Sequence, residues 1–320
     1  MDFKSIVSVV AEDFAAVDAF IRKSLESEVP LINEVGHYIV QGGGKRLRPL
    51  VCLLTARACG YAGHRHVDVA SIIELLHTAT LLHDDVVDDS GLRRGRATAN
   101  ARWDNPTAVL VGDYLISKAF QLMVSLRDPD IMDIMSAGTC VIAEGEVLQL
   151  INQRDPNTTE ERYMQVIYGK TAKLFETAAE TGASLGTSAL RPACAAFARH
   201  LGAAFQIIDD VLDYTSSAEV MGKNVGDDLA EGKPTLPLIQ AIKASSPPEA
   251  DLIRQAIRTG GLEHLQEIVA IVQRCGALDY TRQRAETESA LALAALAPLQ
   301  PSGYKSALEN LTRLALIRVS

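Results

Sequence analysis

Apolar residues recur along most of this chain at helical spacing. Over residues 2–27, Val9, Val10, Phe14, Val17, Phe20, Ile21 and Leu25 fall on one broad side of a single predicted amphipathic helix. Pro30 interrupts it, and residues 31–40 predict a second, shorter helix. The same pattern predicts helices over about 50–59, from 67 into the acidic run at 84, and over 107–126 and 130–151. Others begin at Glu160 and after Pro192, followed by 238–244, 248–259, 262–275, 278–296 and 303–316. No strand-rich segment and no interior linker break the series. The expectation is one all-α domain over residues 1–320.

The first predicted helix with chemistry ends in His83-Asp84-Asp85-Val86-Val87-Asp88-Asp89. Asp84 and Asp88 lie four apart and project from one face, with Asp85 beside them; His77 and Thr80 fall on or near that face. A solvated acidic helix end is the bland reading. It weakens at Asp209-Asp210-Val211-Leu212-Asp213, where the Asp-Asp-x-x-Asp order recurs after another apolar lead-in. Two such helices facing each other would form a cage of carboxylates. Oxygen ligands without His or Cys suit Mg²⁺, which keeps waters and binds through a substrate's phosphates.

Basic motifs accompany the acids. Gly42-Gly43-Gly44-Lys45-Arg46-Leu47-Arg48-Pro49 puts three cations after a flexible turn, and it is not a P-loop because the Gly-x-x-x-x-Gly-Lys order is absent. It reads as a pyrophosphate clamp through Lys45 and Arg48, with Arg46 a weaker candidate. Arg93, Arg94 and Arg96 form a second basic patch directly after the carboxylates. Gly169 inside a predicted helix calls for a reason such as a kink or a close approach, and Lys170 and Thr171 beside it offer an ammonium and a hydroxyl to a phosphate. Gln206 shares the face of Asp210 and Asp213. Lys223 and Lys233 bound a glycine-rich loop and are candidates for closing over a bound pyrophosphate. The remaining polar positions look structural: His64 and His66 as solvated loop residues, Asp113 as a hydrogen-bonding core residue. Phe120 and Met123, three apart, either pack or line an apolar cavity.

Composition narrows the partners. A net charge of −9 argues against nucleic acid or an anionic membrane. The five cysteines are scattered with no Cys-x-x-Cys, which disfavours zinc and a disulfide framework and points to a reducing compartment. The acidic N-terminal stretch does not have the pattern expected of a signal peptide. Glu144 and Glu146 interrupt the apolar stretch at 135–151, so no transmembrane segment is expected, and the expectation is a soluble, cytoplasmic protein.

With these motifs assembled, the chain resembles the trans-isoprenyl (polyprenyl) diphosphate synthases. The likeness is carried by Gly43-Gly44-Lys45-Arg46-Leu47-Arg48-Pro49, both aspartate motifs, Arg93-Arg94-Gly95, Gly169-Lys170-Thr171, Phe205-Gln206 and the loop from Lys223 to Lys233. It implies an all-α bundle of mostly antiparallel helices around a deep cavity, and a homodimer. It implies that Asp84, Asp88 and Asp209 hold Mg²⁺, three ions per active site, against an allylic diphosphate. Asp85, Asp210 and Asp213 would assist. Arg93, Lys170, Lys223 and Lys233 would neutralise the allylic pyrophosphate, while Lys45, Arg48, His77 and Arg94 would hold isopentenyl diphosphate. Thr171 and Gln206 would line the reacting centre. Ala79 and Thr80, five and four before the first motif, would leave the cavity floor open, with Phe120 and Met123 narrowing it deeper. The implied product is long, about eight isoprene units (C40), and serves as a quinone side-chain precursor.

Overall fold

Pro30 opens its helix at a position where no intrahelical N–H is needed, and similar end signals delimit much of the chain. A computed structural model describes residues 2–215, 226–260 and 263–317. The expected single N-terminal helix is two, α1 (Phe3–Ser8) and α2 (Ala11–Ser24). The break comes at Val10, whose φ of −132° and ψ of 34° leave the helical region. Apolar periodicity survives such a break, so the pattern alone could not reveal it. Next come α3 (Pro30–Gln41), α4 (Leu47–Ala58), α5 (Arg65–Val87), α6 (Ala99–Arg102), α7 (Asn105–Ser125) and α8 (Pro129–Asn152). They are followed by α9 (Glu160–Ile167), a π-helical turn (Tyr168–Ala172), α10 (Lys173–Leu185) and α11 (Arg191–Leu212). The series ends with α12 (Asp227–Ala230), α13 (Leu236–Ala244), α14 (Pro247–Thr259), α15 (Leu265–Arg274), α16 (Ala277–Ala295) and α17 (Gly303–Ile317).

One short β-hairpin interrupts the helices. β1 (Leu92–Arg93) pairs antiparallel with β2 (Arg96–Ala97), Leu92 opposite Ala97 and Arg93 opposite Arg96. Its two turn residues, Arg94 (φ 54°) and Gly95 (φ 73°), are both left-handed, as a tight two-residue hairpin requires. In the sequence this stretch shows only as a basic patch, because two-residue strands carry no periodicity.

The chain divides into two compact units. The first comprises Met1–Gly138, Leu174–Ala198 and Ala295–Leu311. Its core is α4, buried continuously from Pro49 to Ala56, and α5, buried at Ile72, Ile73, Leu75, Leu76 and Ala79. These helices are apolar nearly all round, which suits elements packed on several sides; α5 packs along α2, α4 and α7. Gly182 of α10 lets that helix approach α4, since a Cβ there would meet the Cys52 carbonyl oxygen at 2.6 Å.

The second unit comprises Thr139–Lys173, Arg199–Ala294 and Thr312–Ser320. One apolar cluster gathers Tyr214, Leu229, Leu238, Ile253, Ile257, Ile268 and Ile271; another gathers Tyr163, Ile167, Ile207, Ile208, Leu236 and Ile239. Thr159 caps α9 by accepting the Arg162 N–H at 3.3 Å.

Two polar expectations change. His66 is not solvated: α5 starts at Arg65, so His66 lies in its first turn, fully buried, with Nε2 2.9 Å from Asp13 Oδ2. Asp113 is not a core residue; it lies on an outward face of α7, with Oδ1 3.4 Å from His83 Nε2. α7 and α8 are each long and apolar enough to cross a membrane by length and composition, a test that core helices of globular proteins also pass, and neither makes a convincing transmembrane segment.

Candidate active site

In the first unit, α5 carries its acids to its C-terminal end. Asp88 is the cap residue, and its N–H donates to the Asp84 carbonyl at 2.8 Å, so the two carboxylates stand one turn apart as the spacing predicts. Asp85 instead is buried and accepts Arg93 Nε and Nη2 at 2.9 and 2.8 Å. Burial raises its pKa, and Arg93 works against that shift. The hairpin thus delivers Arg93 directly to the aspartate motif.

The glycine-rich turn reaches the same hairpin. Gly43 (φ 72°) and Gly44 (φ 151°) adopt conformations that side chains disfavour, and Arg94 Nη1 donates to the Gly43 carbonyl. Lys45 is exposed. Arg46 turns inward, 2.6 Å from Asp18 and 3.3 Å from Glu74, so this cation fastens the turn to α2 and α5. Arg48, on the first turn of α4, has Nη1 3.1 Å from His77 Nε2 and its guanidinium 4.5 Å from the centre of the Phe175 ring. Burial, then the charges of Arg48, Arg93 and Arg94, hold His77 well below the ordinary imidazole range. It is therefore neutral, with Nε2 accepting from Arg48. One turn on, Ala79 is fully buried and Thr80 Oγ1 donates to the His77 carbonyl at 2.8 Å. On α7, Phe120 is partly and Met123 fully buried.

In the second unit the π-helical turn supplies the reason for Gly169. A Cβ on Gly145 would meet the Gly169 carbonyl carbon and the Lys170 nitrogen at 2.6 Å each, so two glycines bring the backbones together. The widened turn sets Lys170 Nζ 2.7 Å from Glu146 Oε2 and Thr171 Oγ1 3.0 Å from Gln206 Oε1. Gln206 Nε2 in turn donates to Asp210 Oδ1 at 2.9 Å, and the Tyr163 hydroxyl donates to Asp210 Oδ2 at 2.6 Å. The line Thr171–Gln206–Asp210–Tyr163 fixes the second motif from both sides.

Burial and then Asp228 push Asp210 well above the carboxylate range, and the same causes push Asp213 up to about 8. Asp213 Oδ2 is buried without a hydrogen-bond partner. Asp209 is only partly buried. Lys233 pairs with Glu231, and its N–H donates to the Asp228 carbonyl at 2.8 Å. Lys223 lies outside the described residues. Among the described residues, no three His, Cys, Asp or Glu side chains stand close enough to hold a metal ion by themselves.

Sequence reasoning missed three residues here. Glu146 gave a weak signal, an acid in an apolar helix beside a glycine. Tyr163 gave none, since a tyrosine on an apolar helix face looks like packing. Asp228 was visible only as part of an acidic pair in a loop.

Residues 29–274 match the family model for polyprenyl synthetase. The chain belongs to that family. It is a prenyltransferase. Over 100% of its length and 99% of the relative's, it is 56% identical to an all-trans-nonaprenyl-diphosphate synthase (geranyl-diphosphate specific) of Rhodobacter capsulatus. It is 51% identical to the octaprenyl diphosphate synthase of Escherichia coli strain K12, over 99% of each chain. Among solved structures, a polyprenyl synthase of Caulobacter crescentus CB15, complexed with calcium and isoprenyl diphosphate, superimposes with a TM-score of 0.96 at 39% identity. That match covers 100% of this chain and 98% of the other. The all-α fold expected of the family is therefore the observed one.

Proposed function

We propose that this prenyltransferase is a long-chain all-trans polyprenyl diphosphate synthase. It condenses isopentenyl diphosphate repeatedly with an allylic diphosphate, with Mg²⁺, to products of C40 to C50. The observation that carries the reading is an intact pair of aspartate motifs and basic clamps in a chain alignable end to end with two long-chain synthases. Those relatives differ in product, so the expectation of C40 alone broadens to this range. Small side chains at Ala79 and Thr80 favour a long product.

The acids suit a divalent cation. The donors are all oxygen, and the buried Asp213 Oδ2 has no hydrogen-bond partner. Asp210 and Asp213 retain protons that a cation would displace. We assign Asp84, Asp88 and Asp209 as the residues that would hold Mg²⁺, with three ions per site, assisted by Asp85, Asp210 and Asp213. Magnesium with several waters, one or two carboxylates and diphosphate oxygens fits such sets. When bound, it would neutralise the departing diphosphate.

The remaining steps rest on side chains. Arg93, Lys170, Lys223 and Lys233 would neutralise the allylic diphosphate, and Lys170 would exchange Glu146 for it. Ionisation leaves an allylic cation flanked by Thr171 and Gln206, whose hydrogen bonds hold their oxygens in place. Lys45, Arg48 and Arg94 would hold isopentenyl diphosphate so that its double bond attacks that cation. Neutral His77 would orient Arg48. A proton then leaves the new chain to the released diphosphate, and no covalent nucleophile is needed.

The assembly we propose is a homodimer in the cytoplasm. Leu110 and Val124 on α7, and Val147, Leu150 and Ile151 on α8, are 57–68% exposed in the single chain. Apolar rows of this size are normally covered by another surface.

The test incubates purified protein with Mg²⁺, labelled isopentenyl diphosphate and either geranyl or farnesyl diphosphate, then sizes the products by mass. Products of C40 to C50 are expected. Termination at C15 or C20 would overturn the long-chain reading.

A further inference from the structure

Phe175 lies on α10, three residues beyond the π-helical turn, and is 1% exposed. By sequence it is one more apolar core residue. In the fold the Arg48 guanidinium lies over its ring, with Cζ 4.5 Å from the ring centre, close enough for a stacked cation–π contact. The in-plane side of the same guanidinium donates to His77 Nε2 at 3.1 Å. The two contacts do different work. An imidazole acceptor fixes one N–H direction but still permits rotation about that bond, whereas a ring under the face fixes the guanidinium plane. Stacking uses the face, which has no donors, and so takes nothing from the planar fork that recognises phosphate.

We infer that Phe175 is a positioning residue for isopentenyl diphosphate, its ring holding the Arg48 guanidinium plane in the orientation that receives the diphosphate. The inference rests on Arg48 binding that diphosphate, as proposed above. Phe175 touches neither substrate; it acts through Arg48. Its contribution is pre-organisation, because a long arginine that is already oriented loses less freedom when the diphosphate arrives. The effect falls on one substrate only.

The experiment measures kcat and both KM values for wild type, Phe175→Leu, Phe175→Tyr and Arg48→Lys, with thermal melts. Phe175→Met replaces the leucine variant should that one fold poorly. Phe175→Leu is expected to raise KM for isopentenyl diphosphate roughly 2- to 30-fold, the range of a cation–π contact. KM for the allylic substrate stays within about twofold, and Phe175→Tyr, which keeps the ring face, restores most of the loss. The double variant Phe175→Leu with Arg48→Lys should lose less than the two single losses combined. If Arg48→Lys raises the isopentenyl KM but Phe175→Leu does not, the positioning role is overturned and the function of Arg48 stands. If neither raises it, the assignment of Arg48 fails, and the inference with it. Equal rises in both KM values with a lowered melting point would make Phe175 ordinary packing and overturn the inference.

Discussion

Lys170 Nζ stands 2.7 Å from Glu146 Oε2, across a contact where Gly145 and Gly169 bring two helix backbones together. The ion pair depends on that approach. Neither partner is adjacent in sequence, and the helix bearing Lys170 meets α8 only because both positions lack a Cβ.

Gly145→Ala should therefore disturb the π-helical turn. The new methyl would meet backbone atoms at 2.6 Å, which cannot rotate away. A loss of roughly 1–3 kcal/mol is expected, as for other overpacked sites. Thermal or urea unfolding reads it directly, and an unchanged midpoint would mean that the turn yields freely.

Asp213 supplies a prediction with a definite sign. Its folded pKa, about 8, lies above the ordinary 3.8. The favourable contribution of its bound proton is present at low pH and is lost as pH rises toward 8. Asp213→Asn should raise the melting temperature of metal-free protein at pH 9 and change it little at pH 4. In the wild type, Mg²⁺ should bind more tightly at pH 8.5 than at pH 6.5, with proton release measurable by calorimetry in two buffers.

His77 gives the opposite slope. It stays neutral in the fold at pH values where an unfolded histidine, near 6.5, takes a proton. Stability should be lost as pH falls below 6.5, toward the lower folded value. In His77→Gln this part of the pH dependence should vanish. An NMR titration showing His77 protonating near 6.5 would contradict the neutral assignment.

Metal removal tests the aspartates. Excess chelator should abolish condensation and added Mg²⁺ should restore it. Asp84→Asn should lower kcat by about 10²–10³, the usual scale for losing a group that stabilises developing charge. A drop of less than about threefold would remove Asp84 from the metal-binding set.

Ala79→Tyr tests the open floor. Ala79 is fully buried on α5, the helix that packs along α7 with Met123. A ring at this position should shorten the product toward C15–C20 while leaving the first condensation active, as read by product mass. An unchanged product length would show that growth is limited elsewhere.

The all-α class, most helix spans, both aspartate motifs and the cations beside them are legible in the residue pattern alone. Periodicity and one-turn spacing are local properties, and local geometry is enough to place Asp84 beside Asp88 or Gln206 beside Asp210. Which cations fasten the fold and which acids are hidden follows from how the helices pack. Arg46 and Arg48 are two residues apart in one basic run, yet one is paired with Asp18 and Glu74 and the other lies on Phe175. His66 is in the core, against Asp13. Glu146 and Tyr163 gained partners through glycine contacts and helix crossings between residues far apart in the chain. Such pairings depend on which faces meet, and no pattern within one helix specifies its neighbour.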